Sequence, residues 1–156
     1  MSTDAVPRRP ATPGRRLGYA IALVINALLL YAVNVWPGWQ VVPFLTDETR
    51  DVLDLVNLSL IVGMITNGVY VFVDGPVVRA LGDLITLGIG LAVLLALWQV
   101  FPFDFDDSGF DWTLLVRIVL GVALFGTAIG IVVQVVVLVR SLLGTGGGPR
   151  RSTPSE

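Results

Sequence analysis

The chain has 156 residues, 54% of them apolar, and a net charge of −2, with a mean hydropathy of +0.82. That is more apolar than an ordinary soluble domain, and a soluble four-helix bundle would need a charged stripe on every helix, which no long segment here carries. Cys, His and Lys are absent and all ten basic residues are Arg, which excludes disulfides and thiolate chemistry and removes the imidazole base and most zinc sites.

Residues 1–16, "MSTDAVPRRPATPGRR", are rich in Pro and Arg and cannot bury apolar area, so they are expected to form a disordered basic tail. The first apolar run, 17–36, follows directly. Its basic flank and apolar stretch are those of a signal peptide, but the run is long and no small-x-small cleavage site precedes Trp36, so it is taken as an uncleaved span. "WPG" (Trp36–Gly38) breaks it. Three further runs follow at about 52–73, 80–101 and 113–140. Each is long enough for a helix to cross about 30 Å of hydrocarbon at 1.5 Å per residue. Residues 144–156, with "GTGGGPRRSTPSE", form a second tail expected to be disordered. The predicted fold class is an all-α membrane protein with four transmembrane helices, residues 17–143 making one four-span domain.

The arginines set the expected orientation. Arg8, Arg9, Arg15, Arg16, Arg79, Arg140, Arg150 and Arg151 fall on one side with four acids, a net of +4, while the other side has Arg50 and Arg117 against eight acids, a net of −6. The positive-inside rule makes the first side cytoplasmic, both termini with it, and a multi-pass plasma-membrane location is expected. The tails would then lie beside an anionic leaflet.

A phrase recurs: "WQVVPF" (Trp39–Phe44) and "WQVFPF" (Trp98–Phe103) match at five of six positions, 59 residues apart. "RLG" (Arg16–Gly18) and "RALG" (Arg79–Gly82) open the first and third spans, and "DVLDLVNLSLIVG" from Asp51 aligns with "DWTLLVRIVLGVA" from Asp111. The chain therefore reads as two pseudo-repeated helical hairpins, N-in/C-in, related by an axis along the membrane normal. All four Trp and five of the seven Phe (44, 101, 103, 105 and 110) gather at the outer ends and loops, a one-sided aromatic collar.

In "FDFDDSGFDW", Asp104, Asp106, Ser108 and Gly109 follow the first half of an EF-hand loop, whose alternate carboxylates converge on one ion around a Gly bend. The twelfth position is Leu115 rather than a bidentate Glu, so the expectation is at most a weak divalent site on Asp104, Asp106, Ser108 and Asp111, beside the alternative of a plain acidic loop.

Ionisable groups inside a membrane are costly and point to function. Asp83 lies one turn after Arg79, a spacing that suits an ion pair. Asp54 and Arg117 lie at similar depth in the second and fourth spans and are expected to pair, or to share a polar cluster with Asn57, Gln99 and Asn34. Gly126 and Gly130 have the GxxxG spacing of a helix-packing face.

"NVWPGWQVVPFLT" and "LWQVFPFDF", together with Arg-only basic usage, resemble four-helix integral membrane proteins of high-GC actinobacteria over most of residues 17–143. The resemblance implies an architecture and a plasma-membrane location and transfers no catalytic residue.

Three functional classes remain. A non-enzymatic accessory, scaffold or envelope-associated protein acting through association is expected first, with the lipid bilayer and a membrane-protein partner or second copy as partners, no cofactor and no nucleic acid. A small oligomeric transporter or channel using Asp54 and Arg117 is the alternative. A lipid-modifying enzyme on Asp104, Asp106 and Asp107 would require the divalent site.

Overall fold

The computed structural model describes residues 13–73, 75–105 and 109–143. Four helices account for most of them: α1 (Pro13–Asn34), α2 (Thr49–Phe72), α3 (Pro76–Val100) and α4 (Trp112–Leu143). Each is long and apolar enough to cross a membrane. At 32 residues α4 would extend about 48 Å, well past the hydrocarbon thickness.

The helix ends follow backbone chemistry. Pro13 and Pro76 sit at the starts of α1 and α3, where a missing N–H costs nothing. α1 thus begins before the apolar run and carries Arg15 and Arg16 on its first turn. It ends at Asn34, before a cis Trp36–Pro37 bond and Gly38, whose φ of 88° is a left-handed conformation that glycine adopts freely. A single 3-10 turn, Trp39–Val41, follows. α3 stops at Val100 because Phe101 turns left-handed (φ 48°, ψ 63°) ahead of Pro102. That conformation is strained for a residue with a Cβ. The two copies of the repeated phrase therefore differ in conformation: "WQV" is a 3-10 turn in the first and the last turn of a helix in the second.

Helix backbones approach within 8 Å only between chain neighbours, α1 with α2, α2 with α3 and α3 with α4. The array is an open row rather than a ring closed by α1 and α4. Few large side chains are buried, among them Trp39, Val52, Tyr70 and Leu120, and apolar side chains cover the outside. In hydrocarbon that surface carries no hydrophobic penalty, so small and polar residues set the seams.

The α1–α2 seam keeps one antiparallel register. Tyr19 meets Tyr70 edge-on at 5.2 Å, Leu23 faces Gly68, and Asn26 rests on the buried Gly63, where a Cβ would come within 3.1 Å of the amide. At the far end Asn34 and Asn57 form a reciprocal amide pair at 2.7 and 2.9 Å. In the α3–α4 seam Leu87 covers Gly130, where a Cβ would stand 3.5 Å from its methyl groups, and Trp98 faces Gly121.

The interhelical loops meet as well. An isolated antiparallel bridge joins Leu45 to Phe103. Thr46 N donates to Pro102 O at 3.1 Å and Asp104 N to Phe44 O at 3.0 Å. Each copy of the phrase is thus hydrogen-bonded to the residues just beyond the end of the other.

Candidate functional site

Two constellations stand at opposite ends of the row. The first is built around Asp83, in the second turn of α3. Its Oδ2 accepts from Gln134 Nε2 of α4 at 2.7 Å. Its Oδ1 lies 2.9 Å from the Tyr70 hydroxyl of α2. That hydroxyl is also 2.8 Å from the Arg79 carbonyl oxygen, so two acceptors share its one hydrogen. Tyr19 of α1 closes against the Tyr70 ring. One carboxylate thereby links three helices directly and reaches the fourth through a ring contact.

Gly82 makes the arrangement possible. A Cβ there would collide with the Tyr70 hydroxyl and lie 2.9 Å from Thr66 Cγ2, so its absence lets the phenol reach the α3 backbone. Arg79, one turn before Asp83, forms no ion pair with it, and the buried Arg79 Nε has no hydrogen-bond partner. The sequence placed Asp83 with Arg79 on one helix face; the folded chain gives both carboxylate oxygens to other helices. Tyr70 and Gln134 were missed. The available signal was the hairpin register: Asp83 and Gln134 lie about five to six turns on either side of the loop that joins α3 to α4.

The expected outer cluster is divided. Asn57 binds Asn34, which also donates to Leu30 O at 2.9 Å. Asp54 is exposed on α2 and makes no ion pair with Arg117, because α2 and α4 do not adjoin. Arg117 instead lies over the rings of Phe101 (4.4 Å) and Trp98 (5.9 Å), a cation–π clamp on the end of α3. Gln99 is exposed, with no hydrogen bond among the described residues. Gly126 is exposed with open space where a Cβ would stand, whereas Gly130 is covered by Leu87, so the two glycines do not form one open face.

Of the four residues expected to hold a divalent ion, Asp106 and Ser108 lie outside the described residues. Asp104 is exposed. Asp111 Oδ1 accepts from Leu114 N at 2.8 Å, which satisfies one of the free amides at the start of α4. Among the described residues no group of three acids is placed to hold a metal.

The second constellation is the collar at this loop end. Phe103 and Phe105 lie nearly parallel, 7° apart at 6.1 Å. Phe44 stacks on Phe105 at 5.6 Å, Trp112 lies 6.5 Å from it, and Phe110 packs edge-on against Trp112 at 4.9 Å. Between them is a cavity of about 510 Å³, walled by Phe44, Phe103, Phe105 and Trp112 with Pro43 and Val116, and Asp104 is the one charged group in its lining among the described residues.

Comparison of the chain with protein-family models, with curated proteins and with solved structures gives no match.

Proposed function

We propose that this protein is a multi-pass plasma-membrane protein, both termini cytoplasmic, that acts without catalysis by association, as an accessory subunit or scaffold. The observation that carries the reading is the open row. α1 and α4 each pack on a single neighbour, which leaves their outer faces for another chain. Gly126 marks a place on α4 where a second helix can come close. The charge asymmetry of the loops supports the orientation. The bridge between the two phrase tails supports reading the hairpins as a duplication that packs on itself.

The test is extraction of the tagged chain in native-lipid nanodiscs, with quantitative mass spectrometry of what accompanies it. A defined stoichiometric assembly, with a partner chain or a second copy, is expected, and Gly126→Ile should disperse it while leaving the monomer folded. Recovery of a lone monomer, or an assembly indifferent to Gly126→Ile and to equivalent substitutions on the outer face of α1, refutes the reading.

A second reading, a small transporter or channel, is favoured by the Asp83 cluster. A membrane carboxylate held by Tyr70 and Gln134 is a group whose loading can be felt by three helices at once. In this reading the coupling acid is Asp83, and Asp54 and Arg117 serve at the rim. Proteoliposome flux that Asp83→Asn abolishes would replace the association reading.

A further inference from the structure

We infer that the cavity at the loop end is a binding site for an amphipathic ammonium compound, one cationic nitrogen on a compact apolar body, that enters from the aqueous side. The size suits it: about 510 Å³ falls within the range of drug-sized ligand pockets. The walls suit it too. Phe44, Phe103, Phe105 and Trp112 supply an apolar lining able to desolvate a hydrocarbon body, and an aromatic lining of this kind favours a cation wherever a ring face meets it. Asp104 then fixes the sign of the ligand. Among the described residues it is the one charged lining group, and its carboxylate has no hydrogen-bond or ion-pair partner there, its backbone N–H being committed to Phe44 O. Asp104 is exposed at the rim, so it would repel an anion, attract a cation and leave a neutral ligand without an electrostatic gain.

The pocket is also pre-formed by backbone. Phe44 and Phe103 stand on segments tied by the Leu45–Phe103 bridge, and Val116 and Trp112 rise from the first turns of α4, which Asp111 caps. Little ordering is therefore left for the ligand to impose, which favours binding by a small, weakly polar cation. The inference is separate from the association reading: Val116 is about three turns of α4 from Gly126, and its test reads probe binding rather than assembly.

The test uses the full chain in phosphatidylglycerol nanodiscs with 5-fluorotryptophan at its four Trp positions, each ¹⁹F resonance assigned by a single Trp→Phe variant. The probe is benzyltrimethylammonium, with neopentylbenzene as its uncharged isostere. A saturable shift confined to the Trp112 resonance is expected, with binding about threefold weaker in Asp104→Asn and absent in Val116→Trp, which fills the cavity. The isostere should bind more weakly than the cation and show no dependence on Asp104. Linear drift of all four resonances, or Asp104→Asn titrations that superpose on wild type, overturn the assignment. Loss of probe affinity in phosphatidylcholine discs would make the occupant a lipid headgroup and overturn the aqueous source.

Discussion

Replacing Asp83 tests the central link of the membrane domain. Asp83→Leu removes the acceptor for two interhelical hydrogen bonds, from Gln134 at 2.7 Å and Tyr70 at 2.9 Å. Interhelical bonds of this kind contribute about 0.6 kcal/mol each on average and up to about 1.7, so the loss should lie at about 1–3 kcal/mol. The two partners do not suffer equally. Tyr70 keeps the Arg79 carbonyl, whereas Gln134 is left with an unpaired amide in an apolar seam, and most of the cost resides there. An opposing effect exists, since an apolar side chain avoids the expense of holding a carboxylate away from water. The orphaned amide decides the sign. Asp83→Asn should cost under about 1 kcal/mol, because the Gln134 amide can turn and accept from the new amide while the carbonyl still serves Tyr70. Asp83→Leu with Gln134→Leu should recover most of the single loss, both partners then being apolar. The assay is reversible unfolding in mixed micelles with increasing dodecyl sulfate, followed by far-UV circular dichroism. Asp83→Leu at or above wild-type stability would refute the claim that these bonds hold the helices.

Gly82→Ala should destabilise by about 1–3 kcal/mol, since the new methyl meets the Tyr70 hydroxyl and Thr66. Tyr70→Phe in the same chain should relieve part of it, as the same unfolding assay would read. Asn34→Leu and Asn57→Leu should each cost about 1 kcal/mol and the double variant less than their sum, because a lone amide is worse than none; additive losses would show the pair is not coupled. Asp111→Ala should cost about 1 kcal/mol and speed hydrogen exchange in the first turn of α4. In the same variant, unchanged calorimetric heats with millimolar calcium are expected.

The four spans and their breaks were legible because they depend on local chemistry. Twenty apolar residues need a helix in hydrocarbon, and Pro37, Gly38, Pro76 and Pro102 stop or start one wherever they fall. Helix neighbours were not legible in the same way. In a soluble bundle the apolar stripe marks the buried face, but here every face is apolar and the 3.6-residue pattern is nearly silent. Depth was the remaining guide, and it put Asp54 beside Arg117. Equal depth implies contact only between adjacent helices, and the open row separates α2 from α4. Asp83 failed differently. Its spacing from Arg79 offered a partner on its own helix, while the partners it uses, Tyr70 and Gln134, are remote in sequence and visible only once the hairpins are folded.

The repeated phrase gains its meaning from the same geometry. The α1–α2 and α3–α4 hairpins touch along the α2–α3 seam, and a row held by one seam could splay at its ends. Among the described residues the hydrogen bonds between the halves lie at both ends of that seam. At one end Tyr70 inserts beside Gly82 and reaches Asp83. At the other, Pro102 and Phe103 lie against Leu45 and Thr46, with the rings of Phe44, Phe103 and Phe105 stacked over the bridge. Proline ends each strand segment without needing a ladder donor, and phenylalanine supplies the ring that covers it. Each of these bonds joins one copy of the phrase to the residue or two just beyond the end of the other: Phe103 pairs with Leu45, Pro102 accepts from Thr46 and Phe44 accepts from Asp104. The preceding "WQV" makes no such contact across the halves, and that is the part of the phrase that adopts two different conformations.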